Sequence, residues 1–385
     1  MRTAGFVLLF TGYRVLRSGF SVLLASAVLL AACRSRRTEL PPYPASAGVL
    51  VARSAERRPL EALPAEVAGQ GCADGAIAFT SERFGQRQVF KVCPDGSRLE
   101  RLLTTDSSDH VAAVAANGTL AILSITGKGG EAHYLERLQL FDGSLKPLGD
   151  SRQRLRNPSF LSSELELIGE ADLGGMSNIV RIGRDGKLVP LTDDAAGNFE
   201  PTVTRDGKMI AFVSSRDGDA EIYRMSVEGT ELLRLTRSRG DDTAPAFSPD
   251  GRRLAFLSSR RGVVRVHVMN ADGGKPRPLD AEAVVGETDL AWSPDGASLA
   301  YIAQRAESAS LRIVNSHDGS LLTEDSGAFR DETPCFSPDG RSIVFASNRD
   351  GDVELYTLKL DGGAVRRVTQ APGVDFLPRW LKALK

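Results

Sequence analysis

The sequence predicts an all-β chain folded as a ring of repeated four-stranded sheets, and three observations carry that prediction. First, Ser-Pro-Asp-Gly occurs at 248–251, 293–296 and 337–340, with Thr204-Arg205-Asp206-Gly207 as a variant copy and Ala115-Ala116-Asn117-Gly118 as a degenerate one. The last glycines fall at 118, 207, 251, 296 and 340, giving intervals of 89, 44, 45 and 44 residues, and the first interval is two periods with a decayed copy near 163. Second, each unit reads as four short strands separated by turn signals. Third, the array begins in the middle of a unit and ends with an orphan strand. Four strands in ~40–45 residues is the arithmetic of a β-propeller blade.

The segments are justified in chain order. Residues 1–32 contain Arg2, Arg14 and Arg17, no acid, and an uncharged run from Gly19 to Ala32. That run is short for a membrane span and suits the apolar core of a secretory signal. It ends in Leu30-Ala31-Ala32-Cys33, which resembles the lipobox of bacterial lipoproteins. The resemblance implies cleavage before Cys33, thioether lipidation of its sulfur and acylation of the new amino end, a multi-chain anchor stable enough to hold a protein at a membrane. Arg34 follows in place of Asp, which implies the periplasmic face of the outer membrane. Loss of three arginines moves the net charge from −1 to −4. Residues 33–71 read as a flexible tether, with Pro41-Pro42-Tyr43-Pro44 favouring extended chain.

Residues 72–382 are expected to form the propeller. In each unit a Pro-x-aromatic segment (Pro158-Ser159-Phe160, Pro201-Thr202-Val203, Pro245-Ala246-Phe247, Pro334-Cys335-Phe336) leads to an Asp-Gly hairpin turn. An alternating apolar strand follows, such as Ile210-Ala211-Phe212, Leu254-Ala255-Phe256 or Ile343-Val344-Phe345. A charged turn then precedes a third strand such as Glu221-Ile222-Tyr223, and a second Asp-Gly turn precedes a short fourth, such as Arg366-Arg367-Val368-Thr369. The array opens at a second strand, Ile77-Ala78-Phe79, and closes with an unpaired first strand, Asp375 to Trp380, which is expected to complete the first unit and leave no open edge. First strands near 111, 156, 200, 244, 289, 333 and 377 count to seven blades; six or eight would follow from a misread unit between 111 and 192.

These repeats resemble the TolB-type, WD-like propeller family, most closely over 198–381. The resemblance implies a TolB-like fold and protein partners in the cell envelope. TolB carries an α/β domain ahead of a six-bladed propeller, and that domain is not expected here. The repeat is specific for fold and says little about function.

Two series of charged residues are candidate binding groups. Asp242, Asp331 and Asp375 lie three residues before the proline position, Asn198 shares that place, and Asp109 and Glu287 align with it. Such side chains would gather at one mouth of the channel and would receive a cation or a basic peptide. Arg83, Arg216, Arg260, Arg305 and Arg349 lie four residues after the second-strand aromatic. First and second strands are antiparallel, so both series fall on one rim, where structural ion pairing competes with a ligand site.

Other chemistry is thin. Asp217-Gly218-Asp219-Ala220-Glu221 and Asp350-Gly351-Asp352-Val353-Glu354 have the carboxylates calcium favours, but they read as hairpin turns, and no cofactor is expected. His110, His133, His267 and His317 lack metal-ligand spacing. Cys72 and Cys93 flank neighbouring strands and are a candidate disulfide, worth ~3 kcal/mol in the chain-entropy model, while Cys335 is expected to be a buried lone thiol. Trp292 and Trp380 fall at the core aromatic position and are expected to pack. No Gly-x-Ser-x-Gly elbow or glycine-rich phosphate motif is present. A net charge near zero with no basic stripe argues against nucleic acid. The reading is a monomeric, lipid-anchored, non-catalytic interaction scaffold, with a channel enzyme of lyase type or a glycan-binding propeller as its rivals.

Overall fold

The computed structural model describes residues 72, 75–102, 108–115, 120–126, 133–139, 145–148, 155–161, 166–282, 289–304 and 307–381. The chain divides into two compact units, 1–67 and 68–385, and all the described residues belong to the second.

Every described strand belongs to one of seven four-stranded antiparallel sheets, and the fold is an all-β propeller of such blades. The fourth sheet shows how the sequence makes one. Asn198–Val203 runs outward from the rim, Met209–Ser214 returns, Glu221–Ser226 runs out again, and the two-residue strand Leu233–Arg234 forms the outer edge. The turn between the first two strands depends on its side chains. In the Ser248 copy, the Ser248 hydroxyl donates to Asp250 at 2.5 Å, Asp250 accepts the Arg252 N–H at 3.1 Å, and Gly251 takes the left-handed φ of 68°. The same bond recurs at Ser293–Asp295 and Ser337–Asp339, both at 2.6 Å. In all three copies the serine hydroxyl is the main influence holding the aspartate below its ordinary range.

Sheets of this kind are buried on both faces. Ile210, Ala211, Phe212 and Val213 are consecutive and all buried, and Leu254 to Leu257 repeat the pattern. Among the described residues, apolar clusters span the junctions between sheets. Phe212 and Ile210 meet Ile168 and Ile179 of the third sheet, Phe256 and Leu254 meet Ala211 and Ile222 of the fourth, and Phe345 meets Leu311 and Ile313 of the sixth.

Closure follows the same rule. Asp375–Leu381 pairs antiparallel with Ala76–Ser81, with Ile77 opposite Trp380 and Ser81 opposite Asp375, so the last strand joins the first sheet. Ile77, Phe79, Phe376 and Trp380 form one cluster with Val344, Ala346 and Leu355 of the seventh sheet. The Trp380 indole N–H donates to the Cys335 carbonyl at 3.1 Å, and Trp292 makes the corresponding bond to Ala246 at 3.0 Å. Both tryptophans pack between sheets. Cys72 and Cys93 form a disulfide, with Cα atoms 5.5 Å apart, that ties the entry into the first sheet to the end of its next strand. Cys335 is half-buried rather than buried: it packs against the cluster around Trp380, beside a register shift in its strand.

First strands bend at a bulge. Asn157, Glu200, Ala244, Thr333 and Leu377, each just before a proline, have φ between 46° and 53°, and the pairing shifts register there. The Ala244 N–H, turned off the ladder, donates to Glu200 of the preceding sheet at 2.7 Å, and the Glu200 N–H donates to Glu170 at 2.5 Å.

Trp380→Ala is expected to cost about 3–5 kcal/mol in urea unfolding, because it empties the closing junction and orphans a carbonyl. Leu322→Ala, at 54% exposure on the outer edge, is expected to change stability by less than about 0.5 kcal/mol.

Candidate functional site

The rim acids and arginines meet, and they do so in the same way in sheet after sheet. The first-strand acid lies opposite a serine at the end of the second strand: Asp375 opposite Ser81, Asp242 opposite Ser258, Asp331 opposite Ser347. Two residues beyond each serine is the rim arginine. Arg83 Nε donates to Ser81 at 2.8 Å and its terminal nitrogen to Asp375 at 2.7 Å. Arg260 bonds Ser258 at 2.6 Å and Asp242 at 3.0 Å. Arg349 bonds Ser347 at 3.1 Å, Asp331 at 2.9 Å, and Asp325 as well. In the fourth sheet Asn198 replaces the acid; Arg216 bonds Ser214 at 2.9 Å and Asn198 at 3.0 Å, and takes its carboxylate from Asp194 at 2.7 Å.

Each guanidinium also lies on aromatic rings, a placement that suits its planar charge. Arg83 is 4.7 Å from the Phe90 centroid, Arg216 is 4.7 Å from Tyr223, and Arg349 is 4.6 Å from Tyr356. The arginine is thus a clasp that joins first strand, second strand and an aromatic ring, which is on the third strand for Arg83, Arg216 and Arg349 and on the second, Phe256, for Arg260. Asp242, Asp331 and Asp375 are at most 1% exposed. Asp109 lies on a described strand, but its side chain, like Glu287, Arg305 and Cys33, lies outside the described residues.

The third sheet carries a different solution at the same three places. Register puts Leu155 at the acid position, Ala171 at the serine and Leu173 at the arginine. These residues pack with Val180 and Ile182 in an apolar cluster. An ion-paired clasp and an apolar plug are therefore interchangeable within one ring, which marks this position as a packing element.

Burial sets the electrostatics. It is the largest influence on Asp331, whose carboxyl is pushed up to about 6; Asp325 adds to the rise, and Ser347, the Leu311 N–H and Arg349 oppose it. Asp242 is raised for the same first reason. His267, packed on Phe256 with ring centroids 5.5 Å apart, is lowered to about 4 by burial and is neutral at neutral pH.

The carboxylates of the two candidate calcium turns are engaged by side chains. Asp217 accepts the Tyr223 hydroxyl and Arg234 at 2.7 Å; Asp350 accepts the Tyr356 hydroxyl at 2.6 Å. Glu221 accepts Arg234 at 3.0 Å and the Ser238 N–H at 2.9 Å, and Glu354 accepts Arg367 at 3.0 Å and the Ala371 N–H at 2.7 Å. Among the described residues, no group of three or more His, Cys, Asp and Glu side chains is arranged to hold a metal ion. Sequence reasoning missed this outer network, although its signal was present. Glu221 pairs with the Arg234-Leu235-Thr236 run, and Glu354 pairs with Arg367-Val368-Thr369. The threonines accept the Ile222 and Leu355 N–H groups at 2.8 and 3.0 Å.

Residues 190–380 match the family model described as the TolB beta propeller domain, and this part of the chain belongs to the TolB-type propeller repeat family. Solved structures share the fold at low identity. They include TolB from Acinetobacter baumannii (17% identical, TM-score 0.55, covering 81% of this chain and 67% of that one). An oligogalacturonate lyase from Vibrio parahaemolyticus is 12% identical (TM-score 0.59, 73% and 85%). A puromycin-hydrolysing peptidase from Mycobacterium tuberculosis is 17% identical (TM-score 0.62, 78% and 52%), so this chain spans about half its length. An uncharacterised protein of Agrobacterium fabrum is 38% identical over 52 residues, which are 14% of this chain and 18% of that protein.

Arg260→Ala is expected to cost about 3–5 kcal/mol in chemical denaturation, because it strands the buried Asp242 carboxylate. The triple replacement Asp242→Leu, Ser258→Ala, Arg260→Leu, copied from the third sheet, is expected to return to within about 1 kcal/mol of the parent; failure to recover would show that the charges do more than pack. Asp331 gives a pH signature. Its raised folded value means that its contribution to stability is full below about 4 and is lost as the pH climbs through about 6. The melting-temperature difference between the parent and Asp331→Asn should therefore fall over that window and be flat on either side.

Proposed function

We propose that this protein is a lipid-anchored periplasmic propeller of seven blades, one per sheet, that acts as a non-catalytic interaction scaffold in the cell envelope. The observation that carries the reading is the consumption of the rim's buried charges in clasps. Asp242, Asp331 and Asp375 each hold an arginine, and the third sheet does without charge at the same place. A ring built this way offers its loops, rather than its buried acids, to a partner.

Topology supports a presented face. The rim bears the hairpins between second and third strands and the loops that join sheets. The chain enters the first sheet at Ala76, at the start of a second strand, and so on the opposite face, the face of the Ser-Pro-Asp-Gly turns. A tether of residues 33–71 from a lipidated Cys33 would link the propeller to the membrane. Family membership and the lipobox favour the outer membrane of a bacterial envelope, a monomer, and protein partners.

The rival is an enzyme or glycan binder working in the channel. Arg379 of the closing strand meets Asp289, before the sixth sheet, at 3.7 Å, so charged side chains do reach between first strands of non-adjacent sheets. Cross-linking in intact envelopes should capture protein partners, and Cys33→Ala should move the protein from the membrane fraction to the soluble periplasm. Turnover of oligogalacturonate by the purified protein, with no cross-linked partner, would overturn the scaffold reading in favour of its rival.

A further inference from the structure

The rim arginines of the clasps are paired, but one sector of the rim holds arginines that are not. Residues 237–265 carry seven arginines against three aspartates, in a chain of net charge −1. Arg252 and Arg253 lie at a Ser-Pro-Asp-Gly turn on the far face, and Arg260 belongs to a clasp. Arg237, Arg239 and Arg261 are exposed, and none has a hydrogen bond or ion pair from its guanidinium among the described residues.

Local structure brings them together. Arg237 and Arg239 lie in the loop between the fourth and fifth sheets, and Arg261 lies at the tip of the hairpin after Arg253–Ser258. The two segments are zipped: the Asp241 N–H donates to the Ser259 hydroxyl at 2.8 Å, and the Ser259 N–H donates to the Asp241 carbonyl at 2.9 Å. Gly240 touches Ser259 so closely that a Cβ there would be 2.8 Å from its hydroxyl oxygen. Ser238 is pinned through its N–H to Glu221 at 2.9 Å and its hydroxyl to Asp242 at 3.1 Å. The loop is therefore held in place, and the three arginines project from a fixed frame.

Nearby acids are committed elsewhere. Asp242 holds Arg260, Asp241 accepts the Ala220 N–H at 2.9 Å, and Asp219 accepts the Gly240 N–H at 3.2 Å. Two residues after Arg261, in the same hairpin tip, is Val263, 41% exposed. Three guanidinium groups beside an exposed aliphatic side chain suit carboxylates interspersed with apolar residues.

We propose that Arg237, Arg239 and Arg261 form a docking surface for an acidic, extended segment of a partner protein. This deepens the scaffold reading, on which it rests, by naming the rim sector and the chemistry of the partner. A lipid headgroup would offer the guanidinium groups anionic oxygens without apolar side chains between them, and the vesicle arm of the test below distinguishes it.

The test uses the full chain in neutral detergent and a fluorescent hexaglutamate peptide. The parent should bind it, binding should weaken as salt rises, and Arg237→Glu/Arg239→Glu/Arg261→Glu should lose at least about tenfold in affinity with an unchanged melting temperature. Arg330→Glu, at an exposed rim arginine in another sector, should bind like the parent. Equal binding by the triple variant, equal loss in Arg330→Glu, or no binding by the parent would overturn the proposal. So would capture of phosphatidylglycerol vesicles in preference to the peptide. Envelope cross-linking of the same triple variant separates the two readings. Loss of a partner seen with the parent supports the surface. If the parent cross-links to nothing yet still binds hexaglutamate through these arginines, the scaffold reading falls and the site stands.

Discussion

Ile210, Ala211, Phe212 and Val213 are neighbours in one strand and all are buried, so the sheet that holds them has no face to show to water. That constraint governs the rest. A two-faced apolar sheet needs a partner on each side, and a row of such sheets leaves two bare faces unless it bends into a ring. The bulges before the prolines bend the first strands, and at Glu200 and Ala244 a carboxylate of the preceding sheet takes up the N–H that the bend releases. Closure then requires that the first and last sheets share a cluster. They do so because the strand that completes the first sheet is made from the other end of the chain, with Trp380 donating across the junction to Cys335. The Cys72–Cys93 disulfide stiffens this sheet, the one whose loss would open the ring.

The clasps are the electrostatic side of the same constraint. An arginine and an aspartate placed between two apolar sheets are costly unless each is fully satisfied. The arginines here are held by a serine, a carboxylate or amide, and an aromatic face, while Asp242 and Asp375 each keep one buried carboxylate oxygen without a hydrogen-bond partner. The third sheet shows the cost from the other direction. Leu155, Ala171 and Leu173 fill the same space with no charge, and the junction still forms. The clasp therefore contributes orientation and register more than net free energy. The serine fixes the arginine's starting point, and the acid fixes which residue of the first strand lies opposite.

Much of this was legible in the chain, and the reason is repetition. A turn motif at a 44-residue period, with the same aromatic and the same arginine at fixed offsets, specifies strands, hairpins and their common rim without any tertiary information. The orphan strand was legible because Asp375, Pro378 and Trp380 keep the spacing of Asp242, Pro245 and Phe247. What escaped was whatever depends on neighbours in space. Glu200 resembles any exposed glutamate until the Ala244 N–H of the next sheet appears beside it. Glu221 and Arg234 are thirteen residues apart, and only the pairing of third and fourth strands makes them partners. The same holds for the acidic hairpin turns: Asp217 and Asp350 were countable in the sequence, but the tyrosines and arginines that bond them were not.

A repeat that places its charges for packing also determines where recognition can occur. Any residue at a repeat position is tied to the junction it stabilises, and changing it for a ligand endangers the ring. The loops between sheets are bound only at their ends, as the segment from Ser238 to Asp242 is, and the side chains between the fixed points are free to differ from one unit to the next. Arg237 and Arg239 occupy such a stretch, and Arg261 occupies a hairpin tip with the same freedom. The counterparts of Arg261 in other sheets are of the opposite charge: Asp350 at the tip in the seventh, Asp217 in the fourth. The ring is thus made by what its units share, and a partner is selected by what they do not.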